Sequence, residues 1–150
     1  MGRYPAPAGG QKPALIMNTI IRINRYLEIA KREALLSISA IHRHGAVIVQ
    51  GNYIVSRGRN RTKSHPVQKK YDTYRAYRDC FTSNIHAEID ALIRSGNMDL
   101  SGSEIFLYRV TKGNNVGISK PCKACERALQ DAGVSYVYYT DVSGIKFMEL

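Results

Sequence analysis

The chain is short of acidic residues, short of cysteine and without any long apolar run, and each shortage excludes something. Its 12 Asp and Glu are set against 22 Lys and Arg, a formal charge of +10 over 150 residues. Such an excess draws anions, whether nucleotides, nucleic acid or acidic lipids, or serves solubility alone; it bears on association and not on fold. Three cysteines are too few, and too odd in number, for a disulfide framework. Two of them form Cys122-x-x-Cys125, a spacing that in a reducing compartment more often binds metal, and Cys80 is left to pack as a small hydrophobe. No segment approaches the roughly 18 uninterrupted apolar residues of a membrane span, since "ALIMNTIIRI" is broken by Asn18 and Arg22. The Pro/Gly-rich opening "YPAPAGGQKP" lacks the apolar core of a signal peptide, so a cytoplasmic location with no membrane attachment is expected.

What is present fits one domain, large enough to fold without help from a metal. Residues 1–13 read as a flexible tail and 14–150 as a single domain. From Ile16, the apolar residues Ile20, Ile23, Leu27, Ala30 and Ala34 recur at helical steps with charges between them, which predicts an amphipathic helix. "GAVIVQGNYIVSRG", at 45–58, reads as a hairpin turning at Gly51-Asn52. Residues 59–84 concentrate positive charge, and a connection of that length is functional or holds a short helix; Tyr71, Tyr74 and Tyr77, three apart, hint at a helical turn. A helix is expected from Ile85 to Ser95, stopped by Gly96. "EIFLYRV" reads as a strand, Pro121 at a first helical position opens a further helix ended by Gly133, and "SYVYYT" is a strand again. The closing "DVSGIKFMEL" is expected to turn at Ser143-Gly144 and return as an edge strand. This alternation predicts α/β layers with the later strands parallel.

Parallel neighbours at 104–110 and 135–140 would set the starts of the two preceding helices side by side. Helix starts favour thiolates, and Cys122 and Cys125, three apart in a first turn, point one way. His86, in "NIHAEIDAL", offers a third ligand, and one imidazole with two thiolates is a zinc set with a vacant fourth position for water. His42, His44 and His65 remain open as a fourth ligand. Zinc in such a site lowers the pKa of its water from about 15.7 towards 7. Glu88, two residues after the histidine, is placed to ferry that water's proton. Histidine-x-glutamate followed by Pro-Cys-x-x-Cys is the signature of zinc deaminases. Taken singly, these residues have plainer readings: a core histidine, a redox thiol pair, an acid favoured in a helix's first turn.

With His86-Ala87-Glu88 and Pro121-Cys122-Lys123-Ala124-Cys125 in order, the sequence resembles the zinc-dependent cytidine/deoxycytidylate deaminase superfamily over roughly residues 16–140. The resemblance implies a three-layer α/β/α fold with a mixed central sheet of about five strands. It implies zinc held by His86, Cys122 and Cys125, with Glu88 as proton shuttle, and an oligomeric assembly. "HGAVIV", Gly58-Arg59-Asn60 and "DAGVSYVYYT" are similar to the deoxycytidylate type, and by that match Asn60 is the candidate sugar ligand. Ala87 is a further candidate for substrate contact. Lys63 and His65, with Lys69, Lys70 and Arg75, are candidates for a 5′-phosphate or members of a solvated basic loop. Arg61 departs from the deoxycytidylate pattern, and "GRNR" with "HAEIDAL" is similar to tRNA adenosine deaminases.

Two enzymatic expectations follow. The first is hydrolytic deamination of a free pyrimidine nucleotide, dCMP to dUMP, favoured by the deoxycytidylate-like strands and by the little sequence that follows residue 140. The second is a base deaminase working on single-stranded DNA or tRNA, favoured by the charge of +10. A zinc-stapled binding module is the non-enzymatic alternative.

Overall fold

The computed structural model of the protein describes residues 13–39, 41–75 and 84–150. In chain order the elements are α1 (Pro13–Leu35), β1 (Arg43–Gln50), β2 (Tyr53–Arg59), β3 (Arg61–Ser64), α2 (Pro66–Asp72), β4 (Asn84–Ile85), α3 (Ala87–Arg94), β5 (Glu104–Val110), α4 (Lys123–Ala132), β6 (Tyr136–Asp141) and β7 (Gly144–Glu149). A five-stranded sheet runs β2-β1-β5-β6-β7, and β3 pairs with β4 in a small separate ribbon. Tyr77, Cys80 and the tail up to residue 12 lie outside the described residues.

Period-two alternation sorts the central strands between two cores. Val47 and Val49 of β1, Phe106 of β5 and Tyr138 of β6 pack against Ile23, Tyr26, Leu27 and Ala30 of α1. Ala46, Ile48, Ile105, Leu107, Val137 and Tyr139 face the other way, onto Ala87 and Ala91 of α3 and Leu129 of α4. Both faces of these strands are buried, as their near-continuous apolar runs require. The result is the expected α/β/α layering with a mixed sheet.

Two glycines let helices approach the sheet closely. A Cβ at Gly45 would strike the Ala30 carbonyl and the Ala34 nitrogen of α1, and one at Gly58 would strike the Ala87 carbonyl and the Ala91 nitrogen of α3. Ser56 strengthens the second contact by donating to the Ala91 carbonyl at 2.7 Å. The height of α3 over the sheet, and so of whatever its first turn carries, is fixed by backbone meeting backbone.

Several boundaries differ from the sequence expectations. The hairpin pairs Gln50 with Tyr53 across Gly51-Asn52, but only Gly51 takes positive φ, at 63°. Among the described strands β5 and β6 are parallel, as expected, β7 returns as the expected edge strand, antiparallel to β6, and β1 runs antiparallel to β5. α3 begins at Ala87 and not at Ile85, which pairs with Arg61 in the β3–β4 ribbon. Pro121 stands outside α4, whose cap is Cys122 and whose end is Gly133 at φ 92°. His44 lies inside β1 and does not precede it.

Candidate metal centre and active site

Because β5 and β6 run parallel, α3 and α4, which precede them, begin at the same end of the sheet. His86 occupies the N-cap position of α3 and Cys122 that of α4. Neither side chain caps its own helix. Each turns across the gap instead: His86 Nδ1 lies 3.5 Å from Cys122 Sγ and 3.3 Å from Cys125 Sγ. The three donor atoms all fall within 4.8 Å of one another. A tetrahedral zinc with bonds of about 2.0 Å to nitrogen and 2.3 Å to sulfur sets those atoms about 3.5 Å apart, so the donors fit the ion in both type and spacing. Among the described residues no other His, Cys, Asp or Glu joins the group. His42 and His44 line the neighbouring cavity, and His65 caps α2 by accepting from the Val67 N–H at 3.1 Å.

Electrostatics divide the two thiols. The hydrogen bond from Cys125, with help from His86, holds the Cys122 thiol down at about 4, whereas burial pushes Cys125 up. Adjacent sulfurs that share a proton in this way both ionise when a dication binds between them. Burial works against a charged His86, but the Cys122 hydrogen bond and the Glu88 charge raise it on balance. His44 is pressed to about 4 by burial and then by Arg109, which keeps it neutral beside the cradle.

The cradle is held from two sides by groups that have no local sequence signature. Gln68, on α2 and fully buried, accepts the His86 backbone N–H on Oε1 at 2.9 Å while its Nε2 donates to Asp72 at 2.7 Å. Tyr71, one helical turn later, donates to Asp131 of α4 at 3.0 Å. On the other side, Ser119 donates to the Leu107 carbonyl at 3.0 Å, and the Thr140 N–H donates to Ser119 Oγ at 2.7 Å. These bonds tie the segment entering Cys122 to the middle of β5 and the end of β6.

A cavity of about 330 Å³ opens in front of the cradle. Glu88 lines it from the first turn of α3, only 6% exposed, and burial raises its carboxyl above the usual range. Ala87 and Asn60 line it as well. Asn60 is locked to β1: its Oδ1 accepts the His44 N–H at 2.9 Å and its Nδ2 donates to the His42 carbonyl. Lys63 and His65 are not among the lining residues. Lys63 is exposed on β3, and His65 is committed to its cap. The cations on the wall are Arg61, Arg75 and Lys120, and Arg75 is the one phosphate candidate from the basic segment that lines the cavity.

A family described as the cytidine and deoxycytidylate deaminase zinc-binding region matches residues 21–141. Among solved structures, dCMP deaminase from the cyanophage S-TIM5 superposes with a TM-score of 0.57 at 23% identity, covering 87% of this chain and 86% of that one. A cytidine deaminase from Mycobacterium tuberculosis gives a TM-score of 0.49 at 18% identity over 81% of this chain and 87% of that one. A search of curated proteins by sequence found no match. Among the described residues, no helix is long and apolar enough to cross a membrane. The match spans most of the chain and takes in both metal-ligating segments, and the protein therefore belongs to the cytidine and deoxycytidylate deaminase family of zinc hydrolases.

Proposed function

We propose that the protein deaminates a free pyrimidine nucleotide, converting dCMP to dUMP. The observation that carries this reading is the buried Glu88 carboxyl, set in a cavity of about 330 Å³ beside a zinc cradle of His86, Cys122 and Cys125. That volume lies at the small end of single-ligand sites. The family description names both a nucleoside and a nucleotide; Arg61, Arg75 and Lys120 on the wall favour the phosphorylated one.

When bound, zinc would supply hydroxide at neutral pH by lowering the pKa of its water. The chain's own residues do the rest. Glu88, buried beside the cradle, takes a proton from the entering water and passes it to N3 of the ring, then carries the second to the departing amino group. The oxygen ends as the C4 carbonyl, the carbon–nitrogen bond breaks, and ammonia leaves. Asn60 holds the sugar from a position fixed by its bonds to β1.

Incubation of the pure zinc-loaded protein with dCMP, CMP, deoxycytidine, dCTP and a cytosine-containing single-stranded oligonucleotide, with ammonia as readout, tests the reading. Turnover of dCMP above all others is expected. The charge of +10 favours a polyanion, so preference for the oligonucleotide, with binding that weakens steeply in salt, would move the assignment to a nucleic-acid deaminase. Silence on all five would reject pyrimidine deamination.

A further inference from the structure

His44 takes no part in the chemistry above, yet strand register turns its side chain towards the site. Gly45 meets the backbone of α1, so its neighbour His44 lies on the opposite face of β1, the face that Ala46 and Ile48 present to α3 and α4. Across the sheet it pairs with Arg109, near the end of β5 at which α3 and α4 begin. Half-buried there, His44 lines the same cavity as Glu88 and Asn60.

Several other polar side chains on that wall already have partners. Arg61 is held by Asp90 at 2.9 Å, Arg75 lies 3.7 Å from Asp72, and the Asn60 amide is bonded to β1. His42 meets the Arg109 guanidinium at 2.9 Å through Nδ1. The His44 ring, by contrast, makes no hydrogen bond among the described residues; Asn60 is joined to its backbone alone. A neutral imidazole keeps one donor and one acceptor, and both remain open to a ligand in the cavity.

In the reaction above, C4 of the base lies at the cradle and the sugar lies at Asn60. Glu88 serves N3 and the departing amino group. The remaining polar atom of the ring is the C2 carbonyl oxygen, an acceptor set between N3 and the nitrogen that bears the sugar. His44 spans the same interval on the protein, since its backbone is joined to Asn60 and its ring is close enough to His86 and Cys122 for their charges to act on it. Adenine carries a C–H at the corresponding place and would leave a donor there unpaired.

We infer that the His44 ring donates to the C2 carbonyl of the base and so selects a pyrimidine over a purine. The inference rests on the pyrimidine deaminase reading above and gives the choice of base a residue.

The test compares dCMP with 2-thio-dCMP, whose sulfur is a poorer acceptor, in the zinc-loaded wild type, His44→Val and His44→Gln. In the wild type dCMP is the better substrate. His44→Val should lower kcat/KM for dCMP by about 5- to 100-fold, carried mainly by KM because the carbonyl is present in substrate and transition state alike. The thio substrate should lose less, so the preference between the two narrows. His44→Gln keeps a donor and should recover part of the loss. The same preference in wild type and His44→Val, a loss confined to kcat, or a glutamine no better than valine in variants that still hold zinc would overturn the assignment. A wild type inert towards dCMP would instead strike the deaminase reading itself, so the two failures are distinguishable.

Discussion

The metal cradle and the wall opposite it are built by different means. The cradle takes its three donors from two helix starts, with two of them within four residues of one another, because a tetrahedral ion dictates their spacing. The wall is assembled from β3, the two-residue strand β4, Arg75 beyond α2, and the segments leading into β1 and into Cys122, and no fixed spacing relates its members. Chemistry common to a family can be written into short motifs. The wall over the cavity is left to pieces that meet only in three dimensions.

That contrast can be broken at several points. Cys125→Ser should have the largest effect, removing a ligand that is fully buried; zinc content and all turnover should be lost together, and a variant that keeps stoichiometric zinc would refute its place in the cradle. Glu88→Gln should retain zinc yet lose about 10²- to 10⁴-fold in kcat, as expected for loss of a general acid–base. A non-enzymatic zinc module would show no such split.

Gln68→Ala probes the support behind the cradle. It leaves the His86 N–H and Asp72 without their buried partner, and zinc affinity measured by chelator competition should fall by about 10- to 100-fold. Unchanged affinity would reduce α2 to packing alone.

His44 supplies a pH test with a definite sign. Its folded pKa of about 4 lies below the ordinary 6.5, so between those values the unfolded chain binds a proton that the folded one refuses. Stability should be undiminished above 6.5, fall as pH drops through the interval, and fall no further from this cause below 4. The fall by about pH 5 should be on the order of 2 kcal/mol and be absent in His44→Gln, as followed by urea denaturation. The smallest effect belongs to Lys63→Ala, which should leave dCMP kinetics within about twofold and stability within about 0.5 kcal/mol, because this exposed side chain does not line the cavity.

Much of the frame was legible in the sequence because its signals are local. The repeating apolar face of α1, the Gly51-Asn52 turn, the stop at Gly133 and the return of β7 each follow from a few neighbouring residues. The segment from 59 to 84 was not, since strands of four and two residues and a helix of seven carry too few turns to set up a period. For the same reason the sequence pattern runs α3 back to Ile85, and charge alone groups Lys63 and His65 with Arg75. Gln68 left no trace, because a buried amide is chosen by partners distant in the chain. Arg61 was visible as a departure from pattern, but nothing local pointed to Asp90 behind it.

By itself, then, the sequence determined the donor set of one histidine and two cysteines with an acid beside them, because side-chain chemistry and helical spacing are properties of short stretches. Tertiary structure decided which cations stand over the cavity, and that Lys63 and His65 are not among them. Direction is not encoded in residue type: it is set by strand pairing, by the backbone contact at Gly58, and by buried partners distant in the chain, such as the Asp90 carboxylate that holds Arg61.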